Sequence, residues 1–321
     1  MILPSRPQNP EAAQRAPAGS VMKTFSMQPG NEALNHVVCT LCGADDAHRW
    51  NGSDSLFVQC RRCGLVYQDP QPVRAELLSR YDDDYYSYEI ENEAQFFRLM
   101  QLGLKDIQFD DIERSLDGER SFLDVGCATG MLIESMKKRG WAEQGVEVCR
   151  PAAEHGKQQR GVRIHVGTLE DAGFPDASFD VVHCSHLIEH LNDPRGFVRE
   201  VRRILTPRGC FLVTTPNTDG FQARLFGKEW RSMIPDHLYL FSRRTLASLL
   251  RQEGFAVQRE KTWGGLAIGT APRALKALAD KLAKPFGFGD VVMLLTRAVK
   301  NDDILPNPHS RSGKVLGVDR N

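Results

Sequence analysis

The chain has 321 residues, with 41 Lys plus Arg balanced by 41 Asp plus Glu. That length is enough for a full core and an accessory module, and the balanced charge gives no global field to draw nucleic acid or an anionic membrane. No apolar run approaches the ~18 residues of a membrane span and no signal-peptide pattern opens the chain, so it reads as cytoplasmic, with its eight cysteines serving metal or as buried thiols rather than disulfides.

Residues 1–35 carry Pro4, Pro7, Pro10, Pro17 and Pro29 among small and polar residues, and Met22 or Met27 offers an alternative start. Such a stretch buries too little apolar surface to offset its ordering entropy, and disorder is expected. Residues 36–72 hold Cys39-Thr-Leu-Cys42-Gly43 and Cys60-Arg-Arg-Cys63-Gly64. Two C-x2-C turns, each followed by glycine, present four thiolates to one tetrahedral ion, so a small zinc ribbon is expected. Four protein ligands close the site, which makes the zinc structural. A ribbon can also read nucleic acid, but Arg49, Arg61 and Arg62 stand against Asp45, Asp46 and Asp54.

Residues 73–118 form a connector. Tyr81-Asp-Asp-Asp-Tyr-Tyr-Ser-Tyr88 is acidic and tyrosine-rich, and Phe96, Met100, Leu104 and Ile107 follow at helical spacing. This helix either covers one edge of the core or forms a lid whose tyrosines line a substrate pocket.

Residues 119–300 alternate strand and helix, which predicts a doubly wound, Rossmann-like α/β sheet. Phe122-Leu-Asp-Val-Gly-Cys-Ala-Thr-Gly130 is a strand running into a glycine turn, with Asp124 at the strand's carboxyl end, where open α/β sheets place ligands. A second strand, about Ala142 to Val148, ends Val146-Glu147-Val148, and the Glu147 carboxylate, roughly 20 residues beyond the turn, suits ribose hydroxyls. The third strand leads into Thr168-Leu-Glu-Asp171, and the fourth, from Phe179, continues into Ser185-His-Leu-Ile-Glu-His190. The His186/His190 pair permits zinc in principle, but its place after a strand favours a cofactor-pocket wall. Asp193 and Pro194 open a helix with an apolar stripe, and strand five runs from Cys210 to Thr215. Strand six spans Phe255–Trp263.

The set Asp124-x-Gly126-x-Ala128-x-Gly130, Gly145-Val-Glu147-Val148, Phe179 to Pro194, and Leu205 to Asn217 resembles the class I S-adenosylmethionine (SAM)-dependent methyltransferases across residues 120–262. A dinucleotide site would instead prefer G-x-G-x-x-G. The resemblance implies an antiparallel last strand over Asp290–Val299. It also implies a loop of Asp124, Gly126, Cys127 and Gly130 around the amino-acid end of SAM, with His186 in the pocket wall. Ala128 replaces the middle glycine. Thr168 stands where the family often has an aspartate for adenine, which leaves Leu169 to pack on the ring and Glu170 or the backbone to take the polar role.

Pro216-Asn217 to His237-x-x-x-Phe241-Ser242 resembles the substrate-side insertion of bacterial methyltransferases acting on small molecules, sugars or lipids. Some of these, notably deoxysugar C-methyltransferases, carry a four-cysteine zinc module and a Glu-His pair here; this chain has Asp236-His237. Methyl transfer asks for alignment of the acceptor and often removal of one proton. His237 is the first candidate base, with Asp236 to orient it, and His190 is the second. Residues 264–287 read as an inserted helix whose basic face (Lys276, Lys281, Lys284) either contacts a membrane surface or is solvated, and 301–321 reads as a disordered tail. The leading expectation is a SAM-dependent methyltransferase with structural zinc, acting on a small-molecule, sugar or lipid-linked acceptor. An RNA methyltransferase with the ribbon as reader, and a non-catalytic SAM-binding module, stand as alternatives.

Overall fold

The structure is a computed structural model that describes residues 34–264 and 288–299. The helix expected over 264–287, apart from Gly264, and the tail over 301–321 lie outside the described residues, as do residues 1–33.

Five short strands open the described chain: β1 (Leu34–Asn35), β2 (Ala47–Arg49), β3 (Phe57–Cys60), β4 (Val66–Gln68) and β5 (Gln71–Pro72). Leu34 and Asn35, which lie before the expected ribbon, pair with Pro72 and Gln71. β2, β3 and β4 form an antiparallel meander that carries the two cysteine knuckles at its end.

Three helices follow: α1 (Arg74–Ser79), α2 (Asp83–Asp106) and α3 (Phe109–Ser115). Most of the tyrosine-rich stretch forms the first turns of α2. Asp82 caps it by accepting from the amides of Asp84 and Tyr85, and Asp83 and Asp84 suit the positive end of the helix dipole.

The core then alternates β6 (Ser121–Val125), α4 (Met131–Lys138), β7 (Ala142–Glu147), α5 (Arg150–His155), β8 (Ile164–Val166), β9 (Phe179–Ser185), α6 (Pro194–Ile204) and β10 (Leu205–Pro216). A short helix α7 (Phe221–Phe226), strand β11 (Tyr239–Leu240), helix α8 (Arg243–Gln252) and strands β12 (Phe255–Trp263) and β13 (Val291–Ala298) complete it. The seven-stranded sheet runs β12-β13-β10-β9-β6-β7-β8. Its central pairs are parallel, and β13 is antiparallel to both neighbours, as expected of the last strand. β6 has β7 on one side and β9 on the other, so the crevice of the switch point opens at the end of β6. β10 starts earlier than its sequence suggests: Leu205 pairs with Phe179, and the chain bulges through Pro207–Gly209 before Cys210 pairs with Val181.

Helices cover both faces. On one, Leu104, Ile107, Phe109, Ile112, Leu132, Met136 and Trp141 pack on Phe122, Val181 and Leu212. On the other, the α6 stripe of Phe197, Val198, Val201 and Ile204 and the α8 residues Leu246, Leu249 and Leu250 pack with Phe211 and Val213. Asp193 caps α6 through the Gly196 amide at 2.9 Å, and Ser242 with Thr245 closes a capping box on α8.

The ribbon joins this second face. β11 pairs antiparallel with β4 (Tyr239 with Tyr67, Leu240 with Val66) and extends the ribbon meander to four strands. Arg195 of α6 donates to the Leu41 carbonyl at 3.0 Å and to the Thr40 carbonyl of the first knuckle. No helix among the described residues is long and apolar enough to cross a membrane.

Gly145 of β7 has no room for a side chain, since a Cβ there would lie 2.5 Å from the Cys127 Sγ and 2.9 Å from the Ile133 Cδ1. Gly145→Ala is therefore expected to destabilise the fold by about 1–3 kcal/mol, as overpacking of a tight core does. Urea unfolding monitored by tryptophan fluorescence checks this.

Candidate functional site

The turn after β6 reverses the chain through left-handed residues: Gly126 at φ 73°, Ala128 at 47° and Gly130 at 79°. Gly130 closes on Val162, where a Cβ would sit 3.0 Å from a methyl group. Asp124 is buried at the strand end and its Oδ1 accepts from Nδ1 of His183, 2.7 Å away and fully buried on β9. Glu147, also buried, reaches across from β7. Its Oε2 accepts from the Ala128 amide at 2.9 Å and its Oε1 from the Cys149 amide at 2.7 Å. A carboxylate has about four lone-pair sites and the Val148 amide also approaches it, so capacity is left for a hydroxyl donor. Cys127 sends its thiol downward against Gly145, so only its backbone faces the crevice.

The first half of α2 lies over this turn. Glu93 Oε2 accepts from the Thr129 hydroxyl at 2.8 Å and from Arg160 at 2.6 Å, while Arg160 Nε donates to the Thr129 carbonyl. Tyr86 hydrogen-bonds Nδ1 of His155 at 3.1 Å. The half-buried rings of Tyr81 and Tyr85 stack edge-on at 4.9 Å. The second half of α2 packs its Gly103 on Met293 and Trp263, so one helix is both edge packing and a cover over the turn. Burial and the nearby Glu147 charge push the Glu89 carboxyl up to about 7, and burial raises Asp124 and Glu147 as well. Three carboxyl groups thus face one another around the glycine turn. That donor set suits a ligand carrying an ammonium and a sulfonium and repels a pyrophosphate.

The third turn departs from the expected pocket chemistry. Leu169 is packed in the core, and exposed Glu170 reaches outward toward Arg74 at 3.7 Å. Asp171, not Glu170, bonds locally, accepting from the Thr168 amide and hydroxyl.

A second cluster lies beyond β9. His186 takes a left-handed conformation (φ 53°), and its Nδ1 is 3.2 Å from Oε1 of fully buried Glu189. The other Glu189 oxygen accepts from the Thr215 hydroxyl at 2.8 Å. Burial alone would raise Glu189, but the His186 hydrogen bond and the surrounding imidazoles hold it at about 2. The rings of His190 and His237 meet at 4.7 Å. His190 Nδ1 donates to the Asp236 carbonyl at 2.9 Å, and His237 Nδ1 to the Ser232 carbonyl at 2.8 Å. Burial, with His190 alongside, lowers His237 to about 4, so it is neutral near pH 7. The Asp236 carboxylate does not orient His237; it turns to Arg80, which also pairs with Glu76. The orienting group is the Ser232 carbonyl. Sequence reasoning gave no role to Glu89, Glu93, His183 or Arg160. A lone histidine inside an apolar strand was the available signal for His183, whereas Glu89 and Glu93 sit on a helix whose polar positions look alike.

The ribbon sulfurs converge: Cys39 and Cys63 Sγ lie 3.4 Å apart, Cys42 and Cys60 Sγ 3.5 Å, and all four within 4.8 Å of one another. A tetrahedral zinc with bonds of about 2.3 Å would set its sulfurs about 3.8 Å apart, so the donor set fits such an ion.

The profile of a methyltransferase-domain family matches residues 97–260, just over half of the chain. A ubiquinone biosynthesis O-methyltransferase of Idiomarina loihiensis is 39% identical over 116 residues, covering 33% of this chain and 47% of that protein. A probable S-adenosylmethionine-dependent methyltransferase of Mycolicibacterium smegmatis is 35% identical over 144 residues, 43% of this chain and 53% of that one. The chain thus spans about half the length of these curated relatives. Among solved structures, a SAM-dependent methyltransferase of Thermotoga maritima, described as a possible histamine N-methyltransferase, is 22% identical, covers 67% of this chain and 99% of that chain, and has a TM-score of 0.48. The chain belongs to the methyltransferase-domain family, within the class I SAM-dependent methyltransferases. The family match begins inside α2, so the ribbon lies outside it.

Glu89 is protonated below about 7 and ionised above it. Ionisation adds a negative charge facing a cationic cofactor, so SAM affinity is expected to rise between pH 6 and 8, by about tenfold at most for one such proton. Calorimetry across that range checks this, and Glu89→Gln should flatten the profile.

Proposed function

We propose that the protein transfers the methyl group of SAM to a hydroxyl oxygen of a small molecule, with zinc held by Cys39, Cys42, Cys60 and Cys63 as a structural ion. The observation that carries this reading is the pairing of two adjacent clusters. The carboxylates of Asp124, Glu147 and Glu89 surround the glycine turn, and the Glu189–His190–His237 group stands beyond the end of β9. Tyr81 joins them, because its hydroxyl feels the charges of Glu147, Asp236 and Glu189 together.

Bound SAM supplies an activated methyl group on a sulfonium. In this reading the chain does the rest. Glu147 offers its spare lone-pair capacity to a ribose hydroxyl. The amides and carbonyls of Gly126, Cys127 and Gly130 receive the amino-acid end. Gly126 lies against Leu187, which gives that wall an apolar contact. Leu169 contributes packing beneath the third turn, and His186 forms the wall next to Glu189. α2 excludes water from the turn. His190 and His237 hold a proton on Nδ1 and, in the neutral ring, offer Nε2 lone pairs to the acceptor hydroxyl, which orients its oxygen and draws on its proton.

The naming of relatives as O-methyltransferases supports an oxygen acceptor, and sugars or lipid-linked glycans fall within the same hydroxyl chemistry. A ribbon that reads RNA is disfavoured by its own arginines. Arg61 pairs with Asp46 at 3.3 Å, and Arg49 donates to the Ser55 and Asp69 carbonyls.

Purified protein incubated with methyl-labelled SAM and a cell extract split into RNA, protein, lipid and small-molecule pools is expected to label the small-molecule or lipid pool. Label in RNA would overturn the acceptor class. His237→Ala should lower that label at least about a hundredfold while SAM binding persists. Cys39→Ser is expected to release the zinc and, because β4 then loses its support, to lower acceptor methylation by at least about tenfold with SAM binding retained. Metal analysis with calorimetry checks that outcome.

A further inference from the structure

We propose that Glu189, His190 and His237 form a second metal site, distinct from the cysteines, that takes a divalent first-row transition ion and presents it to the acceptor's oxygen. The inference rests on reading the crevice as a methyltransferase site and revises the role of the histidine pair there: their Nε2 lone pairs act on the acceptor oxygen through the ion and not by a direct hydrogen bond.

One ligand atom from each of the three residues lies within 4.8 Å of the others. Glu189 and His190 come from the turn after β9, and His237 from the segment before β11. The Leu238 amide donates to the Glu189 carbonyl at 2.8 Å and holds the two segments together. A carbonyl can only accept, so both imidazoles carry a hydrogen on Nδ1, toward Ser232 and Asp236, and in the neutral ring Nε2 is the lone pair. Ligating histidines use this arrangement, with the second ring nitrogen fixed on a carbonyl. Glu189 is fixed in the same way by the Thr215 hydroxyl. Glu189 makes its ion pair with His186, a half-exposed imidazole, from the side of the turn after β9. Arg80, the nearby guanidinium, is taken up by Asp236 and Glu76.

Two imidazoles and one carboxylate suit zinc, iron(II), cobalt(II) or manganese(II), whereas magnesium and calcium prefer all-oxygen cages. Three protein ligands leave open positions, which is the pattern of a working rather than a structural site. His190 is only partly buried and gives the open side access to the crevice. An acceptor hydroxyl, or two neighbouring hydroxyls, entering there would be acidified and held in line with the sulfonium. The acceptor O–H bond breaks and its proton leaves to water. The O–CH3 bond forms as the S–CH3 bond breaks, and the sulfonium becomes a neutral thioether.

The test uses full-length protein with zinc on its cysteines, from which loosely held metal is removed by brief dialysis against chelator. Cobalt(II) is then titrated. Wild type is expected to take up a further equivalent, with visible d–d absorption and no new thiolate-to-cobalt charge-transfer band, and with a rise in Tm. His190→Gln and His237→Asn should each weaken cobalt binding by at least about tenfold. Calorimetry with SAM on the same samples reports whether each variant is folded. Failure of wild type to bind cobalt beyond the cysteines, or equal binding by folded variants, overturns the site. SAM binding without cobalt uptake removes only this proposal, and cobalt uptake without SAM binding removes the cofactor reading instead.

Discussion

The carboxylate of Glu147 is the point on which the crevice depends. A parallel strand must deliver its chain into a tight reversal at the sheet's carboxyl edge, and here the reversal passes through three left-handed residues, one of them an alanine. A left-handed non-glycine residue costs about 1–2 kcal/mol. A hydrogen bond to a charged group contributes about 1.5–3 kcal/mol, and Glu147 makes one to the Ala128 amide itself. The bond therefore offsets the strain at the position where the middle glycine is missing. Its second oxygen fixes the Cys149 amide, so the turns after β6 and β7 are held by one side chain.

The second dependence is mechanical and runs through the ribbon. Two backbone pairs between β4 and β11 tie the cysteine module to the segment that carries His237. Around them, Gln68 donates to the Pro235 carbonyl at 2.8 Å and Asn192 to the Pro72 carbonyl at 3.0 Å. Short strands of this kind are weak alone. Arg195 of α6, donating to the Thr40 and Leu41 carbonyls between Cys39 and Cys42, braces the same joint from the methyltransferase core. The ribbon thus has a structural account that requires no nucleic acid.

Much of this was legible in the sequence because the signals are local. The Asp124-to-Gly130 turn, the α6 stripe and the paired C-x2-C turns are written within a few residues of one another. Other expectations failed where distant groups competed. Asp236 follows the rule that a carboxylate beside a histidine orients it, until Arg80 from α1's end claims it. Glu170 turns to Arg74, and Cys127 turns inward because Gly145 leaves it a hollow. Arg80 and Arg74 lie far along the chain from the carboxylates they claim, outside the window that a periodicity or motif covers.

The sequence by itself determined the alternation of strands and helices, the cofactor turn, the four thiol donors and the candidacy of His190 and His237. Each follows from backbone sterics, hydrophobic period or ligand spacing over short range. Only the tertiary structure decided that α2 lies over the turn, that Glu89 faces Glu147, and that His237 arrives beside Glu189 and His190 rather than elsewhere. Those meetings depend on β11 pairing with β4 and on helices packing on both faces of one sheet, and burial at such junctions sets the charge states that the chemistry requires.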